Sequence, residues 1–334
     1  MARKKARKSS GFGKLLLVFL VLSFLFAFYA YESVFAKRER NYKLFIKKGD
    51  SVSVIANRLE SAGVISNQLI FKALIKHTAD DTKIAVGIYE LKGKLSLYEI
   101  VHKITYGSPD MISVTLLDGW NLKQIRAALN KNSMLTHLTE SMTNEQIAES
   151  MNIDYPRLEG LIYPSTYFVA PYQSDLDVLN MAYSTMQDKL GSIWSNRESG
   201  LIYTTPYEML TMASLVQKEV SESQDMVVVA TVFNNRLAIN MKLQDDPAVF
   251  YGLENKDVIT RADFKIDTPY NTYLHSGLPP TPICSPGENA LYAAAHPNAN
   301  KQLLYFIATK EGKTIYTTNY ADHSKAVKQY LRKK

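Results

Sequence analysis

The chain has 334 residues, of which 46% are hydrophobic and 21% charged, a length that suits one large or two modest globular domains. Its formal net charge is +7, but six basic residues precede residue 15 and the rest of the chain is close to neutral. A neutral body lacks the basic surface of a nucleic-acid-binding protein, so we exclude a nucleic-acid partner. The six basic residues are Arg3, Lys4, Lys5, Arg7, Lys8 and Lys14.

An uncharged segment follows this basic tail. Residues 15–31 read LLLVFLVLSFLFAFYAY, about the shortest run that spans a bilayer, and the apolar segment continues to Phe35. The positive charge before it places residues 1–14 in the cytoplasm and the rest of the chain outside it. The alternative is a cleaved signal peptide, because residues 34–36 faintly resemble a cleavage site. We favour an uncleaved transmembrane helix at residues 15–35, since the apolar run is longer than a signal core.

The next segment predicts a small α+β module, which we place at residues 41–109. Charged residues 37–46 indicate a spacer leading into a strand, and Ser51 or Ser53 is positioned to cap a helix. The GSPD turn at residues 107–110 marks the boundary with the next domain. The predicted elements between these points are a turn at 48–50, a helix ending at Leu59, a helix at 67–76, a strand at 86–91 and a helix at 97–105.

Residues 110–334 predict a larger domain that mixes helices and strands. The five prolines of residues 260–286 exclude a core strand or helix there and indicate an ordered surface loop. The fold class is therefore α+β, with one transmembrane helix, a small module and a larger domain. The predicted elements of the larger domain are a strand at 111–117, a turn at 118–119, a helix at 120–129, short helices within 131–158, helices at 174–199, 206–219 and 226–238, strands at 303–308 and 314–317 around a turn at 311–312, and a helix at 320–331.

Cysteine and histidine give no sign of a cofactor. Cys284 is the only cysteine, which makes an intramolecular disulfide impossible, and its position between prolines favours a small packing residue. The six histidines lack the spacing of metal ligands. We therefore predict neither a metal nor another cofactor.

The predicted helix at residues 206–219, which follows the long helix at 174–199, carries a candidate catalytic carboxylate, Glu219. This helix starts with a capping box over residues 205–208 and has proline at its first position. Glu219 follows Met212, Leu215 and Val216 at helical spacing, so it belongs to an apolar face. Burial raises the pKa of a carboxyl group, and a carboxyl that stays protonated near neutral pH suits general acid catalysis. The alternative, favoured on spacing alone, is a structural carboxylate paired with lysine or arginine.

Ten short motifs follow one another along the second half of the chain. They are LTMASLVQKEV (210–220), VFNNRL (232–237), MKLQDDP (241–247), YG (251–252), PYNTY (269–273), GLPPTPI (277–283), SPG (285–287), AAAHP (293–297), LLYFIA (303–308) and DHSKAV (322–327). Their order and extent resemble the endolytic murein transglycosylases, the MltG or YceG-like family. The resemblance weakens toward the N-terminus but covers most of the chain.

The resemblance implies a function in the bacterial cell wall. The family's catalytic glutamate falls on Glu219, which would act first as acid on the glycosidic oxygen. It would then act as base on the C6 hydroxyl of N-acetylmuramic acid, leaving a 1,6-anhydromuramoyl end without water. Peptidoglycan glycan strands are the implied substrate, and the implied role is to terminate strand elongation.

The resemblance also implies a location and neighbours. Members of the family are single-pass proteins of the cell (inner) membrane, with the catalytic domain on the extracytoplasmic side and peptidoglycan synthases nearby. They carry a LysM-like module ahead of the catalytic domain, which here falls on residues 41–109. This module either binds N-acetylated sugars or only spaces the active site from the membrane.

Five residues are predicted to bind the substrate. Gln244 and Asn271 suit hydrogen bonds to N-acetyl or hydroxyl groups of the sugar. Tyr270 and Tyr273 offer aromatic faces for stacking on sugar rings. Asp246 matches a family position, with a structural role as its alternative.

Three further positions bear on the site. Arg236 matches a family position and either contacts substrate or pairs with an aspartate to hold two helices together. Ser165 stands where the family usually has aspartate, and we assign it no catalytic role. Asn240 stands where the family usually has glycine, and asparagine tolerates the left-handed conformation of a helix C-cap.

Two other classes of function stay open at the level of sequence. A membrane-anchored, peptidoglycan-binding scaffold would not require Glu219. A hydrolase would require a second carboxylate, for which Asp245 and Asp246 are candidates, and would leave ordinary reducing ends. For both aspartates, hydrogen bonding to the local backbone is the simpler expectation.

Overall fold

A computed structural model describes residues 10–47, 49–78, 84–155, 157–220, 222–254, 260–298, 300, 302–309 and 314–330. Four predicted features lie partly or wholly outside the described residues. They are the basic tail, the turn at 48–50, the turn at 311–312 and the last residue of the helix at 320–331. The chain divides into two compact units. The first comprises Met1–Ile112 and Ala170–Tyr172, and the second comprises Ser113–Val169 and Gln173–Lys334.

The first unit begins with a long apolar helix, α1 (Ser10–Phe35). Its segment Lys14–Phe35 is long and apolar enough to cross a membrane, and its hydrophobic side chains are exposed. Within the part of the chain that the structure describes, α1 alone meets both conditions. The predicted helix at residues 15–35 is therefore confirmed as a helix that could span a bilayer.

The rest of the first unit is a two-stranded antiparallel sheet covered by three helices. Strand β1 (Arg38–Ile46) pairs with β2 (Gly87–Leu95) from Arg38 opposite Leu95 to Ile46 opposite Gly87. The charged segment predicted as a spacer is itself the strand, because alternate residues such as Leu44 and Ile46 are buried. The helices are α2 (Val52–Ser61), capped by Ser51, α3 (Gln68–Thr78) and α4 (Leu97–Tyr106).

The second unit contains eight helices and four strands among its described residues. Strand β3 pairs with β4, and β5 pairs with β6 in antiparallel register from Tyr305 opposite Thr317. The elements are β3 (Ile112–Thr115), α5 (Leu122–Lys131), α6 (Asn144–Ser150), β4 (Thr166–Val169), α7 (Asp175–Ser195), α8 (Pro206–Glu219), α9 (Ser223–Ala238), α10 (Asp246–Gly252), α11 (Glu288–Ala295), β5 (Tyr305–Ala308), β6 (Thr314–Thr317) and α12 (Tyr320–Tyr330). A short 3-10 helix lies at Asp263–Lys265.

Helix α8 lies at the centre of the second unit. Thr205 caps it in the predicted capping box with Glu208, and every residue from Met209 to Val216 is buried. Neighbouring helices α7, α9, α10 and α11 pack around it. The sequence predicted a helix with one apolar face, and the structure shows one enclosed on all sides over more than two turns. This enclosure fixes where the C-terminal end of α8 lies.

The proline-rich loop is anchored to α8 by hydrogen bonds. The backbone N–H of Ile283 donates to Ser214 Oγ at 3.1 Å, and the N–H of Gly287 donates to Gln217 Oε1 at 2.9 Å. Between these contacts, Cys284 is fully buried. Burial raises the pKa of its thiol, which agrees with a packing residue rather than a nucleophile.

Candidate active site

A cleft of about 500 Å³ opens at the C-terminal end of α8. Glu219, the last residue of that helix, lies in its wall and is half-buried. Four of the residues predicted from the sequence line the cleft, namely Glu219, Gln244, Asp246 and Tyr273. The other lining residues are Val220, Arg236, Met241, Tyr305, Phe306, Ile307, Tyr320 and His323.

The surroundings of Glu219 favour its protonated form. Desolvation by burial raises the pKa of Glu219, and the charge of Asp246 acts in the same direction. A hydrogen bond with Asp245 and the more distant charge of Arg236 oppose this rise without cancelling it. No lysine or arginine of the described residues forms an ion pair with Glu219. The environment therefore differs from that of a structural carboxylate in a salt bridge.

Asp245 lies directly against Glu219. It is fully buried and caps α10, since its Oδ2 accepts a hydrogen bond of 2.7 Å from the N–H of Ala248. The backbone capping expected of this aspartate is confirmed. Burial and the neighbouring Glu219 carboxyl both raise the pKa of Asp245 well above its usual range. Asp245 is enclosed by the protein and does not line the cleft, so it can affect the cleft only through Glu219.

Asp246 and Tyr273 form a pair in the cleft wall. The Tyr273 hydroxyl donates a hydrogen bond of 2.5 Å to Asp246 Oδ1, and its ring packs edge-on to Phe264 at 5.0 Å between centroids. Burial and the nearby carboxylates raise the pKa of the Tyr273 phenol. Asp246 itself is exposed. This carboxylate is therefore open to a ligand while Tyr273 holds its orientation.

Gln244 has an unusual backbone conformation. Its φ angle is 52°, in the left-handed region that costs a residue other than glycine roughly 1–2 kcal/mol. Hydrogen bonds to Thr272 hold the segment: the Gln244 N–H donates to the Thr272 carbonyl at 3.2 Å, and the Asp245 N–H donates to Thr272 Oγ1 at 2.8 Å. The exposed Gln244 side chain is thereby directed to the cleft.

Arg236 supports the cleft from within the protein. Its Nε donates to the carbonyl of Leu304 at 2.7 Å and its Nη1 to the carbonyl of Leu243 at 2.5 Å. Its guanidinium lies 5.3 Å from the ring centroid of Tyr305. The side chain is 6% exposed. Arg236 thus joins α9 to the segment before Gln244 and to β5 through carbonyl groups, rather than through the aspartate considered from the sequence.

Two of the predicted substrate-binding residues have partners inside the protein. The Asn271 amide donates to the carbonyls of Phe264 and Ile266 at 3.0 and 2.7 Å, and the side chain is fully buried. The Tyr270 hydroxyl pairs with Thr281 Oγ1 at 2.7 Å, and 7% of Tyr270 is exposed. Neither lines the cleft around Glu219. Their binding role stays a prediction, and their contacts shape the loop that carries Tyr273.

The C-terminal elements supply cleft residues that the sequence reasoning did not single out. Tyr305 of β5 stacks on His323 of α12, with ring centroids 5.1 Å apart. Desolvation and the charge of Arg236 lower the pKa of His323. Both residues lie in motifs that carry the family resemblance, LLYFIA and DHSKAV. These motifs were the feature of the sequence that could have identified them. Within the described residues, no group of three or more His, Cys, Asp or Glu side chains is arranged to hold a metal ion.

Comparison with known proteins shows that the chain is similar to members of one family. The sequence model of the YceG-like family matches residues 44–329. The chain is similar to the endolytic murein transglycosylase of Bacillus subtilis, with 30% identity over 93% of this chain and 91% of that protein. The protein of the same name from Streptococcus pneumoniae is 27% identical, over 95% of this chain and 65% of its own length. A crystal structure of a YceG-like protein from Listeria monocytogenes is similar at 30% identity and a TM-score of 0.51, covering 86% of this chain and all of that one.

Proposed function

Because this chain belongs to the YceG-like family, we propose that it is an endolytic murein lytic transglycosylase that cuts nascent peptidoglycan strands. The observation that carries this proposal is the carboxyl of Glu219, half-buried in the wall of an open cleft, with its pKa raised by burial. A group of that kind is suited to protonate a leaving oxygen near neutral pH. The relatives named above are endolytic murein transglycosylases, and the chain spans 91% of the first.

The proposed reaction uses one carboxyl group twice. Glu219 donates its proton to the glycosidic oxygen as the bond to the anomeric carbon of N-acetylmuramic acid breaks. The resulting carboxylate removes the proton from the C6 hydroxyl of the same sugar, and that oxygen closes on the anomeric carbon. The product carries a 1,6-anhydromuramoyl end, and no water is consumed.

The proposed substrate contacts follow the geometry of the cleft. Gln244 and Asp246 would hydrogen-bond hydroxyl or N-acetyl groups, because both side chains are exposed in the cleft that contains Glu219. Tyr273, which also lines the cleft, would stack on a sugar ring. We propose that Asn271 and Tyr270 act indirectly, by holding the loop that carries Tyr273.

The proposed setting is the outer face of the cytoplasmic membrane. Helix α1 would anchor the protein as a single-pass membrane protein, with the basic tail in the cytoplasm. The LysM-like module at residues 41–109 and the catalytic domain at 110–334 would then face the growing wall. Cleavage near the membrane would terminate strand elongation beside peptidoglycan synthases.

The test is mass spectrometry of glycan strands digested by residues 37–334 and by its Glu219→Gln variant. We expect internal cuts with anhydromuramoyl ends, and their loss in the variant. Glu222→Gln is the matched control, because this exposed glutamate lies three residues further along and does not line the cleft. Retained cleavage in Glu219→Gln would refute the assignment.

The same digest separates the other two functions. Ordinary reducing ends would indicate a hydrolase and direct attention to Asp246, the exposed carboxylate of the cleft. Strand binding without cleavage by the full membrane-inserted chain would indicate a scaffold.

A further inference from the structure

The half-buried Glu219 and the fully buried Asp245 are neighbours, and one oxygen of Asp245 has no ordinary donor. Asp245 Oδ2 accepts from the N–H of Ala248, but Oδ1 is buried and receives no hydrogen bond from any amide, hydroxyl or basic group that the structure describes. The carboxyl of Glu219 is the neighbouring acidic group that interacts with Asp245. A hydrogen bond between two carboxyl groups requires that one of them carries a proton.

Asp175 in the same unit shows how the fold accommodates a buried carboxylate that has donors. It is fully buried, and its two oxygens accept from the N–H groups of Leu138, Thr139 and Leu176 and from the Thr139 hydroxyl, at 2.6 to 3.2 Å. Asp245 is equally buried, yet its side chain has one such donor. The second oxygen of Asp245 therefore lacks the donors that Asp175 has.

We propose that Asp245 is a positioning residue that hydrogen-bonds Glu219 and holds one proton jointly with it through neutral pH. Helix α10 fixes Asp245 through its cap, and helix α8 fixes Glu219 at its last residue, so the two carboxyl groups are held by separate elements. Asp245 has no exposed surface, so it acts on the substrate through Glu219.

The remaining charged groups around the pair do not supply the missing donor. Asp246, on α10, adds negative charge, which strengthens proton retention. Arg236, on α9, is the nearby cation, but its Nε and Nη1 are engaged with the carbonyls of Leu304 and Leu243. The Tyr273 hydroxyl donates to Asp246. The proton of the pair is therefore retained by Glu219 and Asp245 themselves.

This inference rests on the proposed function, and it accounts for both halves of that reaction. When Glu219 gives its proton to the leaving oxygen, the bond to the anomeric carbon breaks and the pair is left without a proton. Two adjacent carboxylates, one half-buried and one fully buried, repel one another, which makes Glu219 a stronger base. It then takes the proton from the C6 hydroxyl while the new carbon–oxygen bond forms, and the pair recovers its single proton.

The decisive experiment is the pH profile of kcat/KM for Asp245→Asn in the full chain. Asparagine keeps the α10 cap with its oxygen and turns its amide toward Glu219, which stabilises the ionised Glu219 carboxylate. We expect the alkaline limb of the profile to move to lower pH by about one unit or more. Asp245→Ser, which keeps a capping hydroxyl but no carboxyl, is expected to move it in the same direction.

Asp225→Asn is the matched control for these variants. Asp225 accepts hydrogen bonds from Thr314 and Tyr316 and does not line the cleft, so its loss should lower stability without moving the pH profile. An unchanged alkaline limb in both Asp245 variants would overturn the proposal and leave Asp245 as a helix cap alone.

A measurement without substrate separates this proposal from the proposed function. Because the pair binds a proton more tightly in the folded than in the unfolded chain, its stabilisation is present at low pH and is lost as the pH rises through the raised pKa. Thermal unfolding from pH 5 to 8 should therefore show a smaller loss of Tm in Asp245→Asn than in the parent chain. An equal loss of Tm in the two proteins would contradict the shared proton, even if Glu219→Gln abolishes cleavage. A smaller loss of Tm in Asp245→Asn would support it, even if cleavage persists.

Discussion

Glu159 is a buried carboxyl group that the proposed reaction does not use. Both of its oxygens accept from the N–H of Leu122, at 3.0 and 3.2 Å, and Tyr251 donates its hydroxyl to Oε2 at 3.2 Å. The residue is 6% exposed, and burial raises the pKa of Glu159 to about 7. Its proton is therefore bound more tightly in the folded chain than in the unfolded one.

The stability of the protein should decrease as the pH rises, in part because of Glu159. Since the folded pKa is raised, the stabilisation is full below the ordinary value of 4.5 and is lost as the pH rises toward 7. In the parent chain, we expect the free energy of unfolding to decrease by about 3 kcal/mol across that interval because of Glu159. This decrease should be absent in Glu159→Gln. Urea denaturation at pH 4.5 and pH 8 measures it.

The control for this prediction is Glu149→Gln, at an exposed glutamate of α6. It should unfold with the same pH dependence as the parent chain. A Glu159→Gln variant that retains the full decline would show that the stabilising proton is bound elsewhere.

Helix α8 depends on its first turn as well as on its burial. The Thr205 hydroxyl accepts from the N–H of Glu208 at 3.2 Å, and Glu208 Oε2 accepts from the N–H groups of Thr204 and Thr205. These bonds satisfy donors that have no partner within the helix. Because Glu219 is the last residue of the same helix, the cap fixes one end of the element that positions it.

Loss of this cap should weaken the protein without changing its chemistry. We expect Thr205→Ala to lower the free energy of unfolding by about 1 kcal/mol, and Thr205→Ser to change it by much less. The kcat/KM values of both variants should match that of the parent chain at temperatures where all three are folded. A tenfold loss of kcat/KM in Thr205→Ala would show that fraying of α8 reaches Glu219.

The elements with local signals were predictable from the sequence. Helix α8 has its cap, proline and apolar spacing within one segment, and Asn240 adopts the predicted left-handed conformation, with φ of 55°. Strand β4 was missed because four residues give little periodicity and its partner β3 lies about fifty residues earlier. Helices α10 and α11, of seven and eight residues, are too short for a clear pattern.

The candidate site was predictable to the same extent. The position of Glu219 at the end of a helix followed from local sequence, and its proposed catalytic role comes from the resemblance of the motif at residues 210–220. Tyr305 and His323 reach the cleft through the β5–β6 pair and α12, a long-range arrangement that the local pattern does not encode. The contact between Asp245 and Glu219 also depends on how α8 and α10 pack.

At the scale of the whole molecule, the apolar surface of α1 limits the environments in which the full chain is stable. Its exposed side chains include Leu16, Phe19, Leu22 and Phe26, and an apolar surface of that size is unstable in water. The rest of the chain has its own buried cores in both units. Among the described residues, the buried cores therefore contain no side chain of α1.

Removal of residues 1–36 should release the protein from membranes. We expect the full chain to remain in the membrane pellet after an alkaline carbonate wash, and residues 37–334 to stay in the supernatant with an unchanged Tm. The full chain with Glu219→Gln is the control, since it keeps α1 and loses only the proposed catalytic group. Pelleting of residues 37–334 would show that a second surface binds the membrane.

Helix α8 ends at Glu219, and the backbone of the helix itself therefore acts on this carboxyl group. The aligned peptide dipoles give an α-helix a partial negative charge at its C-terminal end, which disfavours a carboxylate there by about 0.3–1 kcal/mol. This field acts in the same direction as burial and is present without substrate. Moving the glutamate one turn toward the N-terminus would weaken the field as well as displace the group. The direction of the helix thus helps to raise the pKa of Glu219 in the protein without substrate.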